Sequence, residues 1–387
     1  MTPQFRAVQG STRKTEKLII GVVGTSTKEN EKRVPIHPDH FLLIEKSIRK
    51  RMYFEEGYGK RFNINDDVLN DLFAGSLSRE ELFGQCDIIL ITKPTKDDFH
   101  LFRDGQMLWG WIHCVQGKAI TQVAIDKHLT YLAWESTNIW DKGNIWKMHI
   151  FQKNNEIAGY AAVLHSLQLQ GITGHYCKKR KVAIIGFGSV AKGAVYALKG
   201  IGIDDITIFT ASPSYAVANQ ISGVIYKQFR NKDLGAEVND KPMAEELSQY
   251  DIIINTILQD TDNPVTFIKN SQISLLKSGT LIIDVSCDEQ IGFEFAKPTT
   301  FDKPTFQVGD GITYYGVDHT PSYLWNSASY EISAVLIPFL KTVLGGKKSW
   351  KKDPVLSKAI EIEDGIIKNP KILTFQKRDK NYIVSDK

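Results

Sequence analysis

Cysteine is scarce. Cys86, Cys114, Cys177 and Cys287 are the only four in 387 residues, they lie far apart, and no two form a CxxC pair. That spacing excludes a disulfide framework and a thiolate zinc site, and fits isolated buried thiols in a reducing compartment. Charge of one sign is equally lacking. The 48 Lys+Arg against 44 Asp+Glu leave a net +4, too little to argue for a nucleic-acid partner or an anionic membrane surface. No apolar run approaches the roughly 20 residues of a membrane span. The opening MTPQFRAVQGSTRKTEK is basic and polar, without the apolar centre of a secretory signal, and reads as a loose leader before the first strand. A cytoplasmic location is the expectation, with no membrane and no nucleic acid among the partners. His37-Pro38-Asp39-His40 has the letters of a metal site, but a proline interrupts it and no third ligand is near; no metal is expected.

What the chain does contain is ordinary in bulk and specific in one place. A hydrophobic fraction of 42% and a charged fraction of 24% are those of a globular protein, and the length suffices for two cores. Residues 181–212, KVAIIGFGSVAKGAVYALKGIGIDDITIFTAS, organise the rest. Val182-Ala183-Ile184-Ile185 reads as a buried parallel strand. Gly186-Phe187-Gly188-Ser189-Val190-Ala191 follows, then a helical pattern to Leu198 and a second strand over 206–209. That is a glycine turn inside a βαβ unit of about 30 residues. Gly186 permits the turn and Gly188 lets the backbone approach a pyrophosphate. The phosphate would sit on the helix N-terminal N–H groups, those of Ser189 and Val190 among them. Dinucleotide binding is the reading.

Along the chain, short apolar runs alternate with helical patterns, and each run ends in a polar residue. Strands are expected over 18–23, 52–55, 86–91, 106–112 and 129–134, delivering the polar loop 24–33, the 57–59 glycine loop, Thr92-Lys93-Pro94, His113 and Glu135 in turn. Asp39 is the expected N-cap of a helix starting at Phe41. Residues 155–170 form a connector helix. Further strands are expected over 224–226, 251–255, 281–285 and 313–317, the last of the series, with a helix over 243–247. Residues 329–344 form the return helix, and the lysine-rich tail is expected to pack helically on the first domain through Ile360, Ile362 and Ile366. Strands alternating with helices predict an α/β protein of two Rossmann-like domains with the site at the strand C-termini. The dinucleotide domain, 151–324, is inserted in a discontinuous substrate domain, 17–150 plus 325–387.

Hydride exchange at a carbon bearing nitrogen needs a cation for the substrate carboxylate and a group to handle protons. Lys93 and His113, each ending a strand, and Arg33, in the loop after the first strand, are candidates for those tasks. Each read alone is as readily a surface charge or a structural residue. Asp288, just past the strand ending at Val285, lies where a nicotinamide would be placed and is as readily a loop cap. Trp109, Trp111, Trp134, Trp140 and Trp325 are candidates for an amine pocket, against the commoner role of core filler.

Several stretches, in order, carry a resemblance: Asn30-Glu31-Lys32-Arg33-Val34-Pro35, Phe54-Glu55-Glu56-Gly57-Tyr58-Gly59-Lys60, residues 105–113 (GQMLWGWIH), Ala158-Gly159-Tyr160-Ala161, the glycine turn, residues 277–284 (KSGTLIID) and Val317-Asp318-His319-Thr320-Pro321-Ser322. Over about 18–340 the chain resembles the alanine dehydrogenase/pyridine nucleotide transhydrogenase superfamily, in its saccharopine dehydrogenase and carboxyethylornithine synthase branch. The resemblance implies that Arg33 and Lys93 bind a substrate carboxylate, that His113 is the general acid–base, and that Glu135 is a second ionisable group tuning that pair. A dinucleotide is expected to be held by Gly186, Gly188, Ser189, Val190, Thr210, Ser212, Thr256, Ile257, Val285, Asp318 and His319. The reaction implied is NAD(P)H-dependent condensation of a 2-oxo acid with an amino group of an amino acid such as ornithine or lysine, or its reverse. Alanine dehydrogenase chemistry with free ammonia is the first alternative, and Asp288 speaks for it. A silent dinucleotide sensor is the second. Partners are therefore small amino and oxo acids, with a homo-oligomer allowed for. Two departures stand out. Pro94 replaces an acid beside the lysine. Thr210 stands where NAD-specific relatives carry a carboxylate for the ribose 2′-OH, so NADP(H) is favoured over NAD(H), although no arginine occurs between Thr210 and Tyr215.

Overall fold

The computed structural model describes residues 17–176, 178–232, 235–259 and 263–379; the basic leader and Cys177 lie outside the described residues. Two sheets, each covered on both faces, make up the architecture. In the first, β1 (Ile20–Val22), β2 (Met52–Glu55), β3 (Gly75–Leu77), β4 (Ile88–Ile91), β5 (Met107–Gly110) and β6 (Thr130–Ala133) are parallel, in the order β3-β2-β1-β4-β5-β6. The second contains β7 (Val182–Ile185), β8 (Ile206–Thr210), β9 (Ile225–Gln228), β10 (Ile252–Asn255), β11 (Leu281–Asp284), β12 (Thr305–Val308) and β13 (Ile312–Tyr315), ordered β9-β8-β7-β10-β11-β13-β12. Only its edge strand β12 is antiparallel. The first sheet is completed by β14 (Ile360–Glu363), antiparallel on β6, and β15 (Ile366–Ile367).

Short, wholly apolar runs become these strands because both faces are buried. Along β4, Ile88 and Leu90 join one core while Ile89 and Ile91 join the other; successive side chains point to opposite faces. The order reverses between β1 and β4 in one sheet and between β7 and β10 in the other. Such a reversal opens a crevice at the strand C-termini, where ligands bind in doubly wound sheets.

Two long helices join the lobes, α1 (Gln152–Leu169) and α3 (Trp325–Leu336), and α1 packs closely on α2 (Ser189–Gly200), the helix after the glycine turn. Glycines permit that approach. A Cβ on Gly193 would stand 1.7 Å from the Glu156 carbonyl oxygen, and one on Gly159 1.9 Å from that of Val190. Gly193→Ala is therefore expected to lower stability by ~1–3 kcal/mol through overpacking, read as a drop in Tm. Gly200→Ala, whose Cβ would meet nothing within 4 Å, is the control and is expected to leave Tm unchanged or raise it. The helical run Thr320–Leu344 is long and apolar enough to cross a membrane by length and composition. Here Ile332, Leu336, Leu340 and Val343 fill the first lobe's core instead.

Several local expectations are corrected. Pro38–Leu43 is a 3-10 helix capped by His37, whose Nδ1 accepts the Asp39 N–H at 3.2 Å, so Asp39 is not the cap. His37 and His40 bond to Asn326 and Ser333 of α3. The strand expected to be last ends at Tyr315, and two more follow. The tail returns to the first lobe as β14 and β15, with Ile362 and Ile367 buried on one face, and only then as helix α4 (Pro370–Gln376). A hairpin of Asn138–Trp140 and Trp146–His149 and a small meander of Arg230–Lys232, Gly235–Val238 and Lys241–Pro242 were not expected.

Candidate active site

The loop after β1 is fixed from below. Glu55, ending β2, accepts the N–H groups of Gly24 and Thr25, both at 2.8 Å. Arg79 bridges Glu55 (2.7 Å) to Asp98 (2.6 Å), and Asp98 caps the turn after β4 through the Thr95 N–H at 2.7 Å. Ser26 donates to the Lys93 carbonyl at 2.8 Å. The two loops flanking the first reversal thus hold each other, and Arg33 and Lys93 with them.

Arg33 is 4% exposed, and each of its three guanidinium nitrogens donates once. Its Nε and one terminal nitrogen donate to Glu31 at 2.8 and 2.5 Å, the other terminal nitrogen donates to Asn154 Oδ1 at 3.2 Å, and the guanidinium lies 4.6 Å over the Trp111 ring. Glu31 also accepts from Ser322 Oγ at 2.9 Å. Burial opposes the Glu31 charge, but Arg33 outweighs it and holds the carboxyl at about 2. Glu31 takes the side-on face of the guanidinium. The end-on N–H pair, one from each terminal nitrogen, is not used by Glu31.

Lys93 lies 3.8 Å from Asp318 of the second lobe, which Lys28 also approaches at 3.3 Å. Burial, Arg33 and Lys28 push Lys93 below the ordinary lysine value, while Asp318 and Glu31 pull the other way. Burial alone would raise Asp318, but Lys93, His319 and Lys28 hold it well below the usual carboxylate range. His319 bonds to Asp318 at 3.1 Å through Nδ1 and to the Glu29 carbonyl at 2.7 Å through Nε2, and Glu29 accepts the Phe301 N–H at 3.0 Å. Both Asp318 and His319 thus bond to the first lobe.

His113 has φ +53, a left-handed backbone in a residue with a Cβ. Such strain persists only where neighbours over-determine it. Glu135 supplies part of that: its carboxylate accepts the N–H of His113 at 2.5 Å and of Ile112 at 3.2 Å. It therefore grips the backbone of His113. The imidazole is open to the cleft on one side, yet walled closely enough on the others that desolvation lowers its pKa, with Lys93 next in effect. That direction favours the neutral imidazole.

The ends of β7, β8, β10 and β11 line the C-terminal edge of the second sheet, and Cys287, just past β11, lies close enough to Lys93 and Asp318 to feel both charges. Gly186 (φ +94) lies where a Cβ would stand 2.6 Å from Ile257 Cγ1, while a Cβ at Gly188 would meet only open space. No side chain caps the N-terminus of the 12-residue helix α2, so the Ser189 and Val190 N–H groups remain for a ligand. A dinucleotide pyrophosphate fits that cradle. Thr256 Oγ1 donates to the Ile185 carbonyl at 2.8 Å, and Ser286 Oγ, beside Val285, to that of Ile257 at 2.5 Å. Thr210 spends its hydroxyl proton on the Ser212 carbonyl at 2.6 Å; Ser212 itself is exposed. Asp288 stands near enough to Asp318 that burial and then that charge raise its pKa. Arg33, Lys93, His113, Asp318, His319 and Asp288 thus meet between the lobes, with Glu135 behind His113 and the glycine turn opposite. Of the tryptophans, Trp109 and Trp134 are core, Trp140 and Trp325 lie elsewhere, and only Trp111 reaches the site.

Asp284, fully buried at the end of β11, is a support that sequence reasoning missed. It accepts from Asn255 Nδ2 (3.0 Å), the Cys287 N–H (3.0 Å) and Tyr314 OH (2.8 Å), binding together the ends of β10, β11 and β13. Asp284→Asn offers one acceptor oxygen to three donors. It is expected to destabilise by ~1–3 kcal/mol and to weaken dinucleotide binding, checked by Tm and by quenching titration; an unchanged affinity contradicts that support. Glu31, Asn154, Ser322, Lys28 and Glu29 were missed as well. Only Glu31 left a signal, its place two residues before Arg33.

A glycine cradle set against two cations and an imidazole is the arrangement of pyridine-nucleotide-dependent oxidoreductases that act on small amino and oxo acids. Comparison with known proteins agrees. The description "Alanine dehydrogenase/PNT" matches in both parts, the N-terminal domain over residues 22–158 and the C-terminal domain over 161–370. The N(5)-(carboxyethyl)ornithine synthase of Lactococcus lactis subsp. lactis is 31% identical over 318 residues, covering 79% of this chain and 90% of its own. The alanine dehydrogenase of Methanococcus maripaludis is 24% identical over 368 residues, covering 90% and 94%. A solved L-alanine dehydrogenase superposes with a TM-score of 0.77 at 20% identity, over 93% of this chain and 99% of that one. The chain belongs to the alanine dehydrogenase/PNT family and is an oxidoreductase dependent on a pyridine nucleotide.

Proposed function

We propose that the chain reductively condenses a 2-oxo acid, pyruvate or 2-oxoglutarate, with an amino group of an amino acid such as ornithine or lysine, or runs the reverse. The observation that carries this reading is the meeting of Arg33 and Lys93, in the two loops flanking the first sheet's reversal, with His113 from the loop after the adjoining strand β5. The higher identity to carboxyethylornithine synthases than to alanine dehydrogenases supports the choice of nitrogen source.

In this reading the end-on N–H pair of Arg33 and the Lys93 ammonium hold the oxo-acid carboxylate, which displaces Asp318 from Lys93. Bringing carbonyl and amine together in fixed orientation supplies much of the rate. His113 exchanges the proton on the carbonyl and then the carbinolamine oxygen, so that water leaves and an imine remains. Nicotinamide, when bound, supplies the hydride to the imine carbon. The sum is oxo acid, amine, NAD(P)H and a proton giving a secondary amine, NAD(P)⁺ and water. Residues 17–150 and 325–387 serve as the substrate domain and 151–324 as the cofactor domain, in a cytoplasmic enzyme. NADP(H) is the preferred cofactor because Thr210 and the exposed Ser212 place no carboxylate against a 2′-phosphate.

Asp288 favours a second reading, reductive amination of the oxo acid with free ammonia. The two separate in one experiment. Pyruvate and reduced cofactor are supplied with ammonium, ornithine or lysine, and products are identified by mass. Oxidation with an amino acid but not with ammonium is expected; alanine as the sole product overturns the reading. Running NADPH beside NADH tests the cofactor preference.

A further inference from the structure

We propose that the C-terminal return positions the acid–base histidine, with Glu361 and Gln376 as the positioning residues. This rests on His113 being the proton-exchanging group. Gln376, at the end of α4 and 5% exposed, donates from Nε2 to the Cys114 carbonyl at 2.6 Å and to Val115 O and Thr121 Oγ1, both at 3.2 Å. Thr121 donates to the same Cys114 carbonyl at 3.0 Å. Glu361, on β14 and 3% exposed, accepts from Ser136 Oγ and from Asn369 Nδ2 at 2.6 Å. Ser136 adjoins Glu135, whose carboxylate holds the N–H groups of Ile112 and His113. The chain just after the left-handed His113 is therefore anchored directly by Gln376, more than two hundred positions later, while Glu361 bonds Ser136, next to the Glu135 that holds Ile112 and His113. Within the His113 loop itself, the Gly117 N–H donates to the His113 carbonyl at 2.9 Å.

The anchoring also carries a charge. Groups facing Glu135 are Glu361 across β6, Cys114 in the His113 loop, and the His149 imidazole, which reaches the Glu135 and Trp134 backbone. Burial and then Glu361 raise the Glu135 carboxyl to about 7, and burial raises Glu361 as well. Ionised, Glu135 offers both oxygens to the two N–H groups. Protonated, it gives up part of that grip. Activity is thus expected to fall as pH drops through the Glu135 titration, and Glu361 sets where that limb lies.

Two volume-conserving variants test this. Glu361→Gln removes the like charge and is expected to move the acid limb of kcat down by about one pH unit. The carbon-13 resonance of the Glu135 carboxyl, which needs no turnover, should show the same downward shift. Gln376→Met removes the amide donors and is expected to lower kcat ~10- to 100-fold through misplacement of His113. KM for the dinucleotide should be unchanged, and amide exchange across residues 113–115 faster. Parent-like Glu135 titration in Glu361→Gln, or parent-like kcat and exchange in Gln376→Met, overturns the proposal. Should no oxo acid and amine pair turn over in the parent, the function proposed above fails, while the titration and exchange measurements still decide this one.

Discussion

His113→Gln is expected to lower kcat by ~10²–10⁴-fold, the usual worth of a positioned general acid–base, while dinucleotide affinity stays as in the parent. Glutamine fills most of the imidazole's space and keeps a hydrogen-bonding end, so the cleft keeps its shape but has no group that exchanges a proton near neutral pH. The environment sharpens the expectation. Desolvation and the Lys93 charge hold the imidazole neutral in the free enzyme. A carboxylate bound between Arg33 and Lys93 cancels that positive field, so the His113 pKa rises when the oxo acid binds. On the acid side, just above the depressed His113 titration, the enzyme should take up a proton on binding oxo acid, and the uptake should vanish in His113→Gln. Calorimetric binding in two buffers of different ionisation enthalpy measures it directly. A variant retaining parent kcat removes His113 from the chemistry.

Arg33→Met is expected to be the most destabilising substitution at the site. It leaves Glu31, 4% exposed, as a buried charge whose counter-ion is gone. Removing one partner of such a pair costs about 3–5 kcal/mol. Adding Glu31→Gln should recover most of that stability without recovering oxo-acid binding, which separates the structural role of the pair from the recognition role of the guanidinium. The pH dependence follows from the depressed carboxyl. A group whose folded value is about 2 against an ordinary 4.5 contributes fully above 4.5 and loses its contribution as pH falls towards 2. Acid unfolding in the parent should be steep in that window, and shallower in the double variant. Full oxo-acid affinity in the double variant would contradict the assignment of Arg33.

Much of this was legible in the sequence because it is local. The glycine turn, its two strands and α2 announce themselves by spacing. The strands β4 and β5 run straight into Lys93 and His113 and deliver both to the cleft. What was not legible depends on pairings between distant residues. Nothing around Asn154 or Ser322 marks them as partners of Arg33 and Glu31, since the contacts form only when α1 and the segment after β13 cross between the lobes. The tail looked helical because Ile360, Ile362 and Ile366 are too few to fix a period; β6 offered an open edge, and pairing with it decided the outcome. Glu135 ends a strand, as expected of an active group, but its oxygens are taken by backbone N–H groups that only the left-handed turn at His113 brings within reach.

The account rests on Arg33 and Lys93 gripping one carboxylate beneath His113 and opposite the glycine cradle. A crystal structure with reduced cofactor and a 2-oxo acid bound tests it most directly. The predicted result is a carboxylate bonded to the end-on pair of Arg33 and to Lys93, with Lys93 drawn away from Asp318 and the carbonyl oxygen within hydrogen-bond reach of the His113 imidazole. An oxo acid seated away from these three side chains, with the Lys93–Asp318 pair intact, contradicts it.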